Sequence, residues 1–301
     1  RRTELPGTRR RRSLSKTDGD QIMISRILIS TDGSDYSRAA CAYGIYLAKM
    51  LTASVIGLYV IDIKITRGPL FHSMTGLSDL SPYQEFTPFI ESGLEERGNL
   101  ILEAFRKQCE KEGIRPDLRK VTGLIDETII EIGKEADWII LAQRGEHSPL
   151  TGRGLLGSTS EAVVRKAGKP VMITPDRFRE ISRIGVAYDC SATSDRALHY
   201  AVELSRKLNR PLSIVSVVKD DLHATGVKAR IDEILSSHET DGAITFRHGN
   251  DEEEILKYTV EAPVDLLVMG AYGRSRLREL ILGSTTSYVI RNTTVPVLMI
   301  R

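Results

Sequence analysis

The chain is poor in the residues that usually announce catalysis or a covalent staple. Its three cysteines, Cys41, Cys109 and Cys190, form no C-x-x-C pair. So sparse and odd a set argues against a disulfide framework and fits a reducing, cytoplasmic setting. Cys190 has no lysine or histidine beside it to lower its pKa, so it reads as an inert thiol. Six histidines are scattered without metal-ligand spacing, and His199, alone in a helical stretch, reads as a packed or surface residue. No base stands next to a nucleophile in a spacing that suggests turnover, so no catalytic residue is assigned. No apolar run approaches the roughly 18 residues of a membrane-spanning helix.

Net charge is also scarce. The formal +2 hides a basic start: residues 1–22 carry seven Arg and Lys against three acids, which leaves the remainder slightly acidic. Nothing in that remainder points to nucleic acid or to a membrane surface. The stretch 1–24 lacks apolar periodicity and is expected to be a disordered basic tail ahead of the folded part.

What is present is a repeat. At 301 residues, 41% hydrophobic and 27% charged, the chain has the size and composition of two globular domains. Each half opens on a short apolar strand ending in Asp, Arg26–Asp32 and Arg183–Asp189, followed by small polar residues that can cap a helix. An amphipathic helix and a second apolar strand follow, Val55–Val60 and Leu212–Val218. The first half then inserts a Pro/Gly/Ser-containing stretch over about 63–89, while the second goes almost directly into a helix around Val227–Leu235. Both halves close on an apolar strand opened by a Lys-Pro or Val-Pro pair, Lys169–Ile173 and Val295–Ile300. Alternating strands and helices, with strands too apolar for a solvated face, predict an α/β fold of two doubly wound parallel sheets with helices on both faces. The prolines place the closing strands at sheet edges. Two apolar edges in one chain can cover each other, which predicts pairing between the halves.

The densest signal lies late in the chain. Gly270-Ala271-Tyr272-Gly273, nine residues and Gly283-Ser284 follow the apolar run Leu266–Met269 and precede a helical segment. Glycines let main-chain N–H groups approach an anion, and a helix start adds unpaired donors. One charge at a helix terminus is worth only about 0.3–1 kcal/mol, so several donors must act together. Arg274, Arg276 and Arg278 lie within this loop as further phosphate candidates. In an open parallel sheet, Asp189 would share the crevice and reach a ribose hydroxyl or a base amine.

This second half resembles the universal stress protein family, whose nucleotide-binding members share G-x-x-G, nine residues, G-Ser/Thr. The resemblance extends over both halves, about 25–175 and 180–301, and implies a tandem member with strand order 3-2-1-4-5 in each five-stranded sheet. It implies ATP as ligand, with or without Mg2+, in a regulatory, stress-response role with weak or no hydrolysis. Its site residues map to Asp189, Val217, Gly270, Gly273, Gly283 and Ser284. In the first half, Asp32, Val60, Gly145, Gly157 and Ser158 match, but Ala142 replaces the first glycine and the loop is two residues longer. If that position needs φ > 0, a Cβ costs about 1–2 kcal/mol, and the second half binds more tightly. Two other readings stand beside this one. The segment Ser30–Asp35 faintly resembles the loop of adenylylating ATP pyrophosphatases without its double glycine, and a nucleotide-free interaction scaffold is the third. A regulatory protein partner and association into a homodimer are left open.

Overall fold

The computed structural model describes residues 22–67, 87–145, 156–271 and 282–301. The first half runs β1 (Arg26–Ser30), α1 (Asp35–Leu51), β2 (Ser54–Asp62), α2 (Ile63–Arg67), α3 (Thr87–Lys111), β3 (Asp117–Gly123), α4 (Ile125–Gly133), β4 (Trp138–Ala142), α5 (Ser158–Lys166) and β5 (Val171–Thr174). The second runs β6 (Ile184–Ala187), α6 (Ala192–Leu208), β7 (Leu212–Val217), α7 (Asp221–Ser237), β8 (Ala243–Arg247), α8 (Asp251–Glu261), β9 (Leu266–Gly270), α9 (Ser284–Asn292) and β10 (Val297–Ile300). Helix α7 starts earlier than its apolar spacing predicts. Asp220 caps it, accepting from His223 N–H at 2.8 Å, so a capped polar turn precedes the amphipathic part. Most of the tail expected over 1–24 lies outside the described residues, but its end, Ile24, is buried in the core. The insertion expected over 63–89 lies outside them at 68–86.

The strands form one sheet in the order β3-β2-β1-β4-β5-β10-β9-β6-β7-β8. Within each half the order is 3-2-1-4-5 and every pairing is parallel. The two expected sheets are therefore joined into one. The join is β5 against β10, antiparallel, with Met172 opposite Leu298 and both fully buried. Each strand hides the other's apolar edge, as the edge argument requires. Burial follows the pleat: Ile27 and Ile29 pack on one face with α1 and α6, while Leu28 packs on the other with α4, α5, α8 and α9. Each apolar layer runs through both halves.

Polar contacts repeat in both halves. Asp137 Oδ2 accepts from Ser25 and Arg26 N–H at 2.7 and 3.0 Å, and Asp265 Oδ2 from Ser182 and Arg183 N–H at 3.0 and 3.1 Å. Each thereby fixes where its half's first strand begins. Across the join, Gln143 Nε2 donates to Ile290 and Thr293 carbonyls at 2.7 and 3.1 Å, satisfying the end of α9. Arg301 does the same for α5, donating to Val164 O at 3.2 Å. The indole N–H of Trp138 in β4 donates to the Tyr200 hydroxyl on α6.

Trp138 is fully buried, so its donor has no access to water. Tyr200→Phe should lower the unfolding free energy by about 1–3 kcal/mol, the range for an orphaned buried donor. A urea titration followed by fluorescence of Trp138, the single tryptophan, measures this. Unchanged stability would show that the contact contributes nothing.

Candidate functional site

In the second half, β6 ends at Ala187 and the chain must turn sharply to enter α6. Asp189 makes that turn, its Oδ1 accepting from Ser191 N–H at 3.0 Å, and Ser191 caps α6 by accepting from Ser194 N–H at 3.1 Å. Val217 ends β7. Val215 O accepts from Tyr188 N–H at 2.9 Å and Val218 N–H donates to Arg247 O at 2.8 Å. By strand alternation the Val217 amide and carbonyl point toward β6, beyond the end of that strand. Gly270 ends β9, and Gly283 is the N-cap of α9.

These pieces meet. Asp189, Val217, Gly270, Gly283 and Ser284 line one cavity of about 680 Å³ at the carboxyl ends of the strands. Gly273 and the three loop arginines fall in 272–281, outside the described residues. The matching set Asp32, Val60, Gly145, Gly157 and Ser158 lines a second cavity of about 650 Å³ in the first half. Because β5 and β10 run antiparallel, the strand ends of the two halves, and with them the cavities, face opposite ways along the sheet.

The halves differ in detail, and the left-handed backbone considered for the first glycine position is not found there. Gly270 does not have φ > 0: among the described glycines only Gly33, Gly113 and Gly249 do. The absence of a side chain at 270 serves close packing instead. A Cβ there would stand 2.9 Å from Thr193 Cβ and 3.0 Å from its carbonyl carbon. The first half has Tyr36 at the place of Thr193 and accepts the buried Ala142 Cβ without a special backbone. Tyr36 there carries the Arg144 guanidinium, 5.9 Å above its ring. A different feature separates the two cradles. Gly157 N–H is spent on Gln143 O at 2.8 Å, whereas Gly283 N–H has no main-chain acceptor among the described residues.

Sequence reasoning missed several lining groups. Thr286 Oγ1 donates to Gly270 O at 3.2 Å and Ser160 Oγ to Ala142 O at 2.7 Å, each tying the helix start to the strand end. The signal was there: a hydroxyl two residues after the matched Ser in both halves. His223 and His248 also line the second-half cavity, a placement that only the fold reveals. Tyr188 donates to Asp195 Oδ1 at 2.5 Å, and burial, reinforced by that carboxylate, raises its pKa. In the first-half cavity, burial opposes ionisation of Asp126, but Lys166 at 3.0 Å and nearby main-chain amides hold its carboxyl below the usual range. Burial pushes the Cys41 and Cys109 thiols up to about 12, while Cys190 is exposed.

Cys190 has φ +60°, at the place where the first half has Gly33 with φ +82°. A side chain in this region costs about 1–2 kcal/mol, partly offset by the greater unfolded-state freedom of glycine. Cys190→Gly should therefore raise the unfolding free energy by about 0.5–1 kcal/mol in denaturant titrations. A loss of stability would mean that the thiol contributes more than its backbone costs. At Gly270 the opposite holds: Gly270→Ala should destabilise by about 1–3 kcal/mol through overpacking against Thr193, by the same measurement.

With that geometry in place, comparison with known proteins is direct. The family model for the universal stress protein family matches residues 23–175 and again 180–301. A universal stress protein of Synechocystis sp. is 30% identical over 289 residues, covering 92% of this chain and all of that protein. One from Mycobacterium tuberculosis (strain ATCC 25618 / H37Rv) is 24% identical over 303 residues, covering 91% of this chain and 96% of that protein. Among solved structures, a universal stress protein from Archaeoglobus fulgidus superposes with TM-score 0.70 at 26% identity, over 92% of this chain and 98% of that one. Two copies of one pattern, in one continuous sheet, thus place the molecule: the chain belongs to the universal stress protein family.

Proposed function

We propose that this protein is a tandem nucleotide-binding regulator, with one domain in each half, that takes ATP in the second-half cavity and turns it over slowly or not at all. The observation that carries this reading is the convergence of five residues distant in sequence on one cavity. Asp189, Val217, Gly270, Gly283 and Ser284 come from three strand ends and a helix start. The chemistry of the wall is graded. The N-terminus of α9, whose Gly283 N–H has no main-chain acceptor among the described residues, suits phosphate oxygens. The Asp189 carboxylate, one strand over, suits ribose hydroxyls. The open Val217 main chain suits the edge of a base. Mg2+ would accompany the phosphates as a counter-ion. Response to stress would then run through a protein partner that distinguishes the loaded from the empty state.

The first half is the weaker site in this reading, because Gly157 N–H is already engaged by the main chain of its own loop. Gly283 has φ −57° and ψ 145°, a backbone that a branched residue adopts readily, so Gly283→Val should fold while filling the cradle. In calorimetry, ATP should bind the parent and lose at least tenfold in affinity in Gly283→Val, with Gly157→Val close to the parent. ATP at about a hundred times its Kd should also add about 2.7 kcal/mol to the unfolding free energy. No heat with ATP in the parent, or equal losses in the two valine variants, would refute this assignment.

A further inference from the structure

Gln143 is held by its main chain and by its side chain at once. It directly follows β4, where its N–H donates to Thr174 O at 2.9 Å and its carbonyl accepts from Gly157 N–H at 2.8 Å. The side chain leaves the first half altogether: its buried Nε2 donates to the Ile290 and Thr293 carbonyls at the end of α9. Both amide hydrogens are thereby used. With N–H and side chain pinned, the Gln143 carbonyl has little freedom to leave Gly157. The next two residues extend the clamp. Arg144 lies over the Tyr36 ring at 5.9 Å, within cation–π range. Gly145 sits so near Asp32 that a Cβ on it would stand 2.9 Å from Oδ2. Ala271 is the counterpart of Gln143 in the second half, its N–H donating to Ile300 O at 2.8 Å. Its side chain ends at Cβ and cannot cross to the other half. There, no main-chain group among the described residues takes the Gly283 N–H.

We propose that the first-half cavity is a latent nucleoside triphosphate site, held shut from the second half by Gln143. The proposal rests on the nucleotide reading above and adds to it a cause and a means of release. Size does not separate the two cavities, at about 650 and 680 Å³. Room for a nucleotide is present in the first half; what its loop withholds is a phosphate donor and one side of the Asp32 carboxylate. A phosphate arriving at Gly157 must displace the Gln143 carbonyl, and the side-chain tether resists that swing. The tether ends on the C-terminus of α9, and the N-terminus of that same helix lines the second-half cavity, so one helix touches both sites. Gln143 lines neither cavity. It is a positioning residue, setting the loop that admits or refuses the ligand.

The test is ATP calorimetry on the full chain, with Gly283→Val disabling the second-half site so that the remaining heat reports on the first. Adding Gln143→Ala to Gly283→Val should tighten the first half by about three- to tenfold, the scale of one hydrogen bond that the phosphate no longer has to displace. Gln143→Met, which keeps the side-chain volume and loses both donors, should do the same. A residue that only supports the fold would weaken binding when removed, so a gain separates the two roles. A parent that binds ATP while neither substitution strengthens the first half overturns this inference and leaves the second-half site standing. A parent that binds no ATP overturns both. Nitrogen-15 spectra of the parent provide a reading that needs no variant. At ATP concentrations that fill the first half, the Gln143 side-chain amide should shift together with Gly157 N–H. Movement of Gly157 with the Gln143 amide unmoved would contradict the tether even if no variant folds.

Discussion

An apolar edge strand cannot be left open to water, and the architecture of this protein follows from how that constraint is met. Each half ends in a short strand led by proline, too apolar for solvent and unable to donate from its first position. Setting β5 against β10 removes both edges at once. The antiparallel sense of this one pairing turns two five-stranded parallel sheets into a single ten-stranded one with an internal pseudo-twofold. Reciprocal contacts reinforce it: Gln143 closes the end of α9, and Arg301 closes the end of α5.

The same join governs where ligands can act. Crevices form at the carboxyl ends of parallel strands, so an antiparallel union of two such sheets sends its two crevices in opposite directions. They share a core without sharing a mouth. The halves have diverged within that frame. Gln143 shows this compactly: its side chain serves the other half's helix while its carbonyl takes the Gly157 N–H of its own cradle. In that half the loop contributes to the join and commits a donor whose counterpart, Gly283 N–H, has no main-chain acceptor among the described residues. The second-half cavity meanwhile acquires His223 and His248, and the first-half cavity has no histidine among its described lining residues.

Much of this was legible in the sequence, for identifiable reasons. Strand identity was clear because segments such as Trp138–Leu141 are apolar on both faces, which only a doubly covered sheet tolerates. The residues that line the two cavities were legible as a matched set because glycine, Asp and Ser recur at corresponding places in the two halves. The reason for Gly270 was not. Its requirement comes from Thr193, a residue far off in sequence that the fold brings within contact distance, rather than from its own backbone angle. Helix α7 began earlier than periodicity suggested because a cap at Asp220, and not apolar spacing, sets its start. The histidines were illegible for a related reason. They come together on the Val218–Lys219 peptide, a relation that spacing along the chain does not encode.

The central claim is that the second-half cavity holds a nucleoside triphosphate at the start of α9 and that the first half, whose Gly157 N–H is bound to Gln143 O, holds one more weakly. Native mass spectrometry of the full chain, titrated with ATP at low micromolar concentration, tests it most directly. The account requires one nucleotide per chain to fill first, with a second bound only at much higher concentration. No bound nucleotide, or two filling together, would contradict it.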